Sequence, residues 1–269
     1  MAARTSTAPP GPRMIALEGA SGVGKTATSR TLARTLSASR IPEAYDRLRP
    51  APTLEFRDLE ELVDLETTLL YEESRRYLEA GRSLGHGADV VLDTGFLGPV
   101  TFSAGLAHLD PRWTPAARRI ARTAERLVRA GRLGLPDVTI YLDLGAEAVA
   151  ARVAADPAGH PPERADLYAR VATWERRLWV EHFPVGAPGR LIAVRADRPV
   201  PSIVRKLTGR LAEVPARRPP SSSEATRTVR SFTPGPPRRP APPAGPSRRP
   251  TARSASKRYE RRPTSPSPP

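Results

Sequence analysis

The 269-residue sequence contains no cysteine, which excludes disulfide bonds, thiolate nucleophiles and cysteine-ligated zinc. Aromatic residues make up only 5 % of the chain, and only three of its 43 basic residues are lysines. No apolar run approaches the roughly 18 residues that a membrane-spanning helix needs, and residues 1–13 are polar and proline-rich, unlike a signal peptide. From these absences we expect a soluble, cytoplasmic protein without a membrane span.

Proline and positive charge are concentrated at the C-terminal end of the sequence. Residues 215–269 hold 15 prolines, 13 basic residues and two acidic ones, whereas the rest of the chain is nearly balanced in charge. Because proline sustains neither a helix nor a central strand, we predict a disordered Pro/Arg/Ser-rich basic tail over residues 213–269 and a disordered lead-in over residues 1–13. The tail could engage nucleic acid or an acidic partner through salt-sensitive electrostatics, or be a solubilising extension.

Between these ends, residues 14–212 alternate apolar runs typical of buried strands with the spacing of amphipathic helices. The predicted strands are 14–18, 41–47, 89–93, 137–144 and 191–194, and the predicted helices are 25–37, 58–80, 114–130, 147–155, 163–182 and 200–211. Strands that alternate with helices form right-handed βαβ units. We therefore predict one α/β domain with a parallel sheet of about five strands, covered by helices on both faces.

One motif in this domain carries specific chemistry. It matches G-x-x-x-x-G-K-[ST] in full and consists of Gly19, Ala20, Ser21, Gly22, Val23, Gly24, Lys25 and Thr26. Glycines let successive backbone N–H groups point at one phosphate, Lys25 supplies a charge to the β- and γ-phosphates, and Thr26 offers a hydroxyl to Mg²⁺. The motif follows an apolar strand and opens a helix, whose N-terminal dipole faces the phosphate. We therefore predict the three-layer fold of P-loop NTPases, with ATP and Mg²⁺ bound at this loop.

Several classes of P-loop protein are excluded by what the sequence lacks. It has neither the Asn-Lys-x-Asp motif by which GTPases read guanine nor the Leu-Ser-Gly-Gly-Gln signature of transporters. An ATPase usually carries Asp-Glu after its second strand, but here Asp93 is followed by Thr94. A small kinase remains, in which an acceptor group takes the place of the attacking water.

Five stretches between Met14 and Leu211 resemble, in order, the thymidylate kinase and deoxynucleoside kinase group of nucleoside monophosphate kinase-type P-loop enzymes: MIALEGASGVGKT, LLYEESRRY, VVLDTGF, PDVTIYLDLGAEAVAARV and VRADRPVPSIVRKL. The resemblance implies an ATP-dependent phosphotransferase that passes the γ-phosphoryl group to a nucleotide or a nucleoside. It places Arg75 where the group holds the phosphate of the acceptor, and Arg152 at the first arginine of the lid. A homodimeric assembly is a further alternative.

The sequence departs from the pattern of this group around the acceptor. Ser21 stands where thymidylate kinases carry a carboxylate, Thr94 replaces the arginine of Asp-Arg-Tyr, and residues 43–47 (EAYDR) stand in place of Arg-Glu-Pro. Two alternatives therefore stay open. One is a kinase for another small metabolite or an antibiotic, and the other is a non-kinase ATP-binding switch whose basic tail binds nucleic acid or a partner.

The candidate catalytic side chains are Lys25, Asp93, Arg152 and Glu43. Asp93 ends a buried strand beside the strand of the phosphate loop, and could hold Mg²⁺ together with Thr26; the alternative is an aspartate that caps a turn. Glu43 could accept a proton from a substrate hydroxyl, and the alternative is a charge on a surface loop.

The candidates for acceptor binding are Arg75 and Asp46. Arg75 could clamp an anionic acceptor with two hydrogen bonds. The alternative is a solvated arginine paired with Glu72 or Glu79 on the same helix, which contributes only tenths of a kcal/mol.

A break rich in proline and glycine at residues 156–162 predicts a mobile lid. The arginines that flank this break are Arg152, Arg164 and Arg170. A lid that carries arginines would neutralise the γ-phosphate and exclude water from the reaction.

Overall fold

The computed structural model describes residues 11–49, 56–156, 164–214 and 220–235. Its centre is a sheet of five parallel strands in the spatial order β2-β3-β1-β4-β5. The strands are β1 (Met14–Glu18), β2 (Ser39–Ile41), β3 (Val90–Asp93), β4 (Val138–Asp143) and β5 (Leu191–Arg195). The predicted α/β fold with a five-stranded parallel sheet is confirmed.

Ten α-helices surround the sheet within the described residues. They are α1 (Lys25–Leu36), α2 (Ala44–Arg47), α3 (Leu59–Gly85), α4 (Leu97–Leu109), α5 (Thr114–Arg129), α6 (Ala146–Ala154), α7 (Ala165–Arg177), α8 (Phe183–Gly186), α9 (Val200–Glu213) and α10 (Ser222–Phe232). A π-helical turn at Leu178–His182 joins α7 to α8, and a 3₁₀ turn at Pro111–Trp113 precedes α5. None of the described helices is long and apolar enough to cross a membrane.

Helices cover the sheet on both faces, which explains why its strands are nearly continuous apolar runs. All five residues of β1 are buried, because β1 lies at the centre of the sheet between β3 and β4. One apolar cluster fills the space beneath α3, α4, α5 and α10, and a second cluster packs α1, α6 and α9 onto the strands. The result is the predicted three-layer arrangement.

The edge strand β2 is shorter than the sequence analysis predicts. It ends at Ile41, and helix α2 begins at Ala44. Pro42 follows the strand and has no N–H to donate to the ladder, so pairing stops there. The predicted strand over residues 41–47 is therefore wrong beyond its first residue, and the candidate residues of this segment lie at the start of a short helix.

Helix α4 is absent from the sequence-based expectations. Nine of its 13 residues are buried. A helix that is buried on most sides lacks the one-sided apolar pattern by which amphipathic helices are recognised. Helix α4 therefore cannot be recognised from its own sequence pattern and is identified only in the folded structure.

Helix α10 corrects the expectation of a disordered tail from residue 213 onward. Ser221 Oγ accepts a hydrogen bond from the backbone N–H of Glu224 at 3.2 Å, and the Glu224 carboxylate accepts one from the Ser221 N–H at 2.8 Å, so a capping box starts the helix. Phe232 near its end is buried against Trp179, with ring centroids 5.5 Å apart. The rest of the predicted disordered lead-in and tail lies outside the described residues and comprises residues 1–10, 215–219 and 236–269.

Candidate active site

Residues 19–24 form the loop that connects β1 to α1 at the centre of the sheet. Three glycines of this loop have positive φ angles: Gly19 at 140°, Gly22 at 75° and Gly24 at 96°. Side chains with a Cβ rarely adopt such angles. A Cβ at Gly19 would also lie 2.7 Å from the carbonyl oxygen of Leu142. The curled backbone of this loop therefore depends on glycine.

The N-terminus of α1 lies at the end of this loop. No side chain of the described residues caps its first turn, so the first backbone N–H groups of the helix are available to bind an anion. Lys25 Nζ donates to the carbonyl oxygen of Gly19 at 2.9 Å and to that of Ala20 at 3.2 Å. The ammonium group is thus held on the loop itself, where a phosphate would compete for it.

A cavity of about 570 Å³ opens beside the phosphate loop. Lys25 and Thr26 belong to its wall, as do Glu43 and Asp46 of the α2 segment. The structure therefore brings the predicted phosphate-binding and proton-accepting residues into one cavity. Two loop residues pack into the apolar core instead of the cavity wall: Ala20 and Val23.

The cavity wall is strongly acidic. Seven carboxyl side chains contribute to it: Glu18, Glu43, Asp46, Glu66, Glu73, Asp156 and Glu175. Among the described residues of this wall, Lys25 is the only basic one. Within the described wall, an incoming phosphate therefore finds positive charge only at the loop.

Five of these acids are not among the sequence-based candidates: the exposed Asp156 and four buried acids, Glu18, Glu66, Glu73 and Glu175. Helical spacing is the signal that could have found three of them. Glu66 and Glu73 lie on the same face of α3 as the buried Leu62 and Leu70, and Glu175 lies on the buried face of α7. Charged residues are rarely fully buried unless they are paired. A carboxylate at a core position of an amphipathic helix is therefore a candidate functional group.

Burial raises the pKa of these four carboxyl groups. Desolvation raises the pKa of Glu66 to about 8, and the nearby charge of Glu175 adds to the rise. Desolvation raises the pKa of Glu73 to about 7, against the opposing effect of a neighbouring arginine. The pKa values of Glu18 and Glu175 are raised by burial as well, although Lys25 acts in the opposite direction. The cavity of the free protein therefore holds protonated carboxyl groups near neutral pH.

A residue in a strained conformation positions Glu43. Thr94 Oγ1 donates to Glu43 Oε1 at 3.2 Å. Thr94 has a φ angle of 67°, which is costly for a β-branched residue. Arg76 Nη2 donates to the carbonyl oxygen of Thr94 at 3.1 Å. A buried contact therefore holds the strained backbone in place and keeps the hydroxyl on the carboxylate.

Arg76, and not the predicted Arg75, is the inward-facing arginine of α3. Arg76 is fully buried, forms an ion pair with Glu73, and donates from Nη2 to the carbonyl oxygen of Asp93 at 2.8 Å. The side chain of Arg75 is 73 % exposed and pairs with Glu72 at 3.0 Å. Arg75 is also absent from the described cavity wall. Arg75 therefore forms the solvent-exposed ion pair with Glu72 that was the alternative to binding an anionic acceptor.

Asp93 lies at the end of β3, is fully buried and is not part of the described cavity wall. Its Oδ2 pairs with Arg40 at 2.5 Å, whereas its Oδ1 has no hydrogen-bond partner among the described residues. A buried oxygen without a donor is a place where a water or a cation can bind. Thr26 adds a hydroxyl at the cavity wall, and Mg²⁺ prefers oxygen ligands. The oxygen atoms of these two residues are of the kind that Mg²⁺ prefers, and their role as metal ligands stays a prediction.

Arg152 contacts the phosphate loop through backbone carbonyls. Its guanidinium donates to the carbonyl oxygen of Val23 at 3.0 Å and to that of Ala196 at 2.9 Å. It is not part of the described cavity wall. In this structure Arg152 therefore ties the loop to the segment that follows β5.

The other two candidate lid arginines lie on either side of the start of α7. The guanidinium of Arg164 lies over the Phe56 ring, 5.4 Å from its centroid, and Arg170 forms a surface pair with Asp166 at 3.9 Å. Neither belongs to the described cavity wall. Residues 157–163, the centre of the predicted lid, lie outside the described residues, so the lid stays a prediction.

No family model matches the chain, and no curated protein matches it either. Solved structures do. The chain is similar to deoxyadenosine kinase from M. mycoides with bound dATP, with a TM-score of 0.60 and 16 % identity over 74 % of this chain and 99 % of that chain. It is also similar to the M. mycoides deoxyadenosine kinase with bound dCTP, with a TM-score of 0.51 and 16 % identity over 75 % of this chain and 100 % of that one.

At this level of identity the similarity establishes the fold. The chain shares the three-layer α/β fold of these deoxyadenosine kinase structures, with its five-stranded parallel sheet. The features that are specific to thymidylate kinases find no support in these comparisons.

Proposed function

We propose that this protein is an ATP-dependent kinase that transfers the γ-phosphoryl group to a hydroxyl group of a small, nucleoside-sized acceptor. One observation carries the proposal: a single cavity is lined both by the phosphate loop with Lys25 and by the carboxylate of Glu43. Phosphoryl transfer to an alcohol needs a phosphate site beside a group that can take the hydroxyl proton. The nucleoside-kinase fold supports the same class of reaction.

The loop at residues 19–26 would bind the triphosphate of ATP. Its backbone N–H groups donate to the phosphates, and Lys25 exchanges its two carbonyl partners for the β- and γ-phosphate oxygens. Thr26 and Asp93 would hold Mg²⁺, whose charge offsets that of the phosphates. Arg152 would preserve the shape of the loop through its carbonyl contacts.

Glu43 would act as the general base. Its carboxylate takes the proton of the acceptor hydroxyl, the acceptor oxygen forms a bond to the γ-phosphorus, and the bond between the γ-phosphorus and the bridging oxygen breaks to leave ADP. Thr94 serves as a positioning residue, because its hydroxyl holds that carboxylate.

The charge of the cavity favours a hydroxyl acceptor over a nucleoside monophosphate. Seven carboxyl groups and one lysine line the described wall, and the carboxyl groups that are ionised repel a second phosphate. Arg75, which the sequence resemblance assigns to that phosphate, is outside this wall. Asp46 lies in the wall and can accept hydrogen bonds from acceptor hydroxyls. We therefore propose a nucleoside-like acceptor, and not thymidylate.

A kinase for another hydroxyl-bearing metabolite or an antibiotic is the second candidate. Carboxyl groups bind hydroxyl and amino groups without requiring a nucleobase, and the departures at Ser21 and Thr94 point the same way. The hypothesis of an ATP-binding switch depends on the basic tail beyond residue 235, which lies outside the described residues. A homodimer and a cytoplasmic location likewise stay predictions from the sequence.

An acceptor screen with the full-length protein tests the proposal. Nucleosides, nucleotides and other hydroxyl compounds are incubated with ATP and Mg²⁺, ADP is measured, and mass spectrometry identifies products heavier by one phosphoryl group. We expect ADP to appear in step with the phosphorylation of one class of hydroxyl compound. ADP release that is equally fast without any acceptor would contradict the proposal.

Two lysine variants separate the role of the loop from a general effect of charge. Lys25→Ala should lower kcat/KM by about 10²–10³-fold, because a preorganised charge at the transferred group is lost. Lys206→Ala is the matched control, since Lys206 is an exposed residue of α9, and it should leave the rate unchanged. Equal rates in the two variants would remove the loop from the mechanism.

A further inference from the structure

Two buried carboxyl groups, those of Glu66 on α3 and Glu175 on α7, line the cavity from two different helices. Glu66 is 4 % exposed and Glu175 is 8 % exposed. Glu175 accepts one long hydrogen bond, from Thr101 Oγ1 at 3.4 Å. No hydrogen bond or ion pair joins the Glu66 side chain to any other described residue. A buried polar group without a partner costs free energy, and a ligand that supplies the partner recovers it.

No described cation forms an ion pair with either carboxyl group, although the charge of Lys25 acts on Glu175. Lys25 is bonded to carbonyls of the loop, and under the proposed function it passes to the phosphates of ATP. Arg76 is bonded to Glu73 and to the carbonyl oxygens of Asp93 and Thr94. The part of the chain that the structure describes contains no group of three or more His, Asp or Glu side chains that could hold a metal ion. A ligand with a positive charge would therefore complement the two carboxyl groups when they are ionised.

The cavity wall also contains apolar and aromatic surface. The side chains that provide it include Leu69, Phe102, Tyr168 and Trp179. The rings of Phe102 and Tyr168 lie 6.2 Å apart. Aromatic faces attract organic cations and cover the apolar body of a ligand. The wall around the two carboxyl groups thus suits an organic cation better than a hydrated metal ion.

We propose that Glu66 and Glu175 bind an ammonium group carried by the phosphoryl acceptor, which is therefore an amine-bearing hydroxyl compound such as an amino sugar, an aminocyclitol or an aminonucleoside. The inference rests on the proposed function, because that function places the acceptor in this cavity. Hydrogen bonds from an ammonium group to two carboxylates are shorter and stronger than those from a neutral amide or hydroxyl. The phosphates of bound ATP add negative charge and strengthen the preference.

Proton release should accompany the binding of the amine. When both are ionised, Glu66 and Glu175 repel each other, and in the free protein a bound proton relieves that repulsion. The ammonium group takes the place of the proton, which passes to the solvent. The other titratable groups that act on the pair are Glu18, Lys25, Tyr141 and Tyr168. Calorimetric heats measured in two buffers of different ionisation enthalpy should therefore differ for the amine and agree for its neutral form.

The test uses matched pairs of probes with the full-length protein. Each amino sugar, aminocyclitol or aminonucleoside is compared with its own N-acetylated form, and deoxyadenosine and deoxycytidine are included as neutral acceptors. Binding is measured by calorimetry with an unreactive ATP analogue, and phosphoryl transfer is measured by mass spectrometry with ATP. We expect at least tenfold tighter binding of the amine in the pairs that bind, and transfer that is confined to amine-bearing members.

Two variants and a control assign the effect to the two carboxyl groups. Glu66→Gln and Glu175→Gln should each weaken binding of the amine about tenfold or more, with little change for the N-acetylated form and none for ATP. Asp64→Asn is the matched control, because Asp64 is an exposed carboxylate of α3 that lies outside the cavity wall. It should bind all probes as the parent protein does.

The outcomes separate this inference from the proposed function. Transfer to neutral acceptors with an efficiency equal to or above that of the amines overturns the ammonium site and leaves the kinase intact. Tight amine binding that depends on Glu66, without transfer to any compound, supports the ammonium site and overturns the kinase. If no amine binds better than its N-acetylated form, the ammonium site is wrong whatever the protein does with ATP.

Discussion

The phosphate-binding half of the cavity and its acceptor half are built by different means. The phosphate half is one continuous segment, residues 19–26, which binds through backbone N–H groups and one lysine. The acceptor half combines carboxyl groups from α2, α3 and α7, which lie far apart in the sequence. Phosphate binding thus depends on the local backbone conformation, whereas the choice of acceptor depends on how distant helices pack.

The largest effect should follow from a change to the backbone of the phosphate half. In Gly19→Ala the alanine must adopt a φ angle of 140°, and its Cβ lies 2.7 Å from the carbonyl oxygen of Leu142. The loop must distort, so we expect calorimetry to show ATP affinity reduced on the order of 10²-fold, while amine binding in the acceptor half persists.

A second glycine provides the control for this change. Gly209 lies inside α9, and an added Cβ meets nothing within 4 Å. Gly209→Ala should keep full ATP affinity and raise the free energy of unfolding by about 0.5–1 kcal/mol. Normal ATP affinity in Gly19→Ala would show that nucleotide binding does not depend on the loop conformation.

The next effect should follow from removing the support of the acceptor half. Phe232 of α10 packs against Trp179, which lines the cavity, and against Phe183. Phe232→Ala should lower the free energy of unfolding by about 3–5 kcal/mol, because it leaves a cavity in the core. Chemical denaturation measures this loss. The KM for the acceptor should rise while ATP affinity stays close to that of the parent protein.

Controls for α10 come from its exposed side and from the end of the chain. Arg227 is exposed, and Arg227→Ala should change stability by less than about 0.5 kcal/mol. Deleting residues 236–269 leaves α10 in place and should preserve stability, whereas a deletion that starts at residue 215 removes α10 and should not. Equal stability of the two deletions would show that the helix adds nothing to the fold.

A smaller effect is expected where the acceptor half meets the sheet. Thr94→Val removes the hydroxyl that donates to Glu43 at 3.2 Å; this hydrogen bond is long for an O–H···O contact and contributes about 0.5–1.5 kcal/mol. We expect kcat to fall by about 2–10-fold with the KM for ATP unchanged, and Thr94→Ser to restore the rate. If the serine variant is as slow as the valine variant, the hydroxyl does not position the base.

The last effect is gradual and concerns the dependence of stability on pH. Burial in the folded protein raises the pKa of Glu66 from its ordinary value of 4.5 to about 8, so between these values the folded protein keeps a proton that the unfolded chain has lost. Stability should therefore fall as pH rises through this window, by at most about 1.4 kcal/mol per pH unit for this group. Urea unfolding at several pH values measures the slope, which Glu66→Gln should flatten and Asp64→Asn should leave unchanged.

Sequence reasoning recovers the parts of the molecule whose signals are local. The phosphate loop is a contiguous motif, and the buried strands are apolar runs bounded by turns. The start of α3 is local as well, since Asp58 Oδ1 accepts hydrogen bonds from the backbone N–H groups of Glu60 and Glu61. In each case the residues that determine the structure are neighbours in the chain.

The acceptor half could not be recovered in this way. Arg75 and Arg76 are adjacent, and only the phase of α3 decides which of them turns inward. Counting from the buried Leu62, Leu70 and Glu73 places Arg76 on the inner face, but the resemblance to known kinases assigned the neighbouring position. Helix α4 and the packing of α10 depend on tertiary contacts that no local pattern shows.

The guanidinium group of Arg76 contacts three separate parts of the chain. It forms an ion pair with Glu73 on its own helix, and it donates to the carbonyl oxygen of Asp93 at the end of β3 and, at 3.4 Å, to that of Ile41 at the end of β2. Moving α3 away from the sheet would leave the buried guanidinium group of Arg76 without its hydrogen-bond acceptors, which is strongly unfavourable. We therefore expect α3, which carries Glu66, to keep its position when ligands enter the cavity. Adjustment to the size of a ligand must come from the opposing helices.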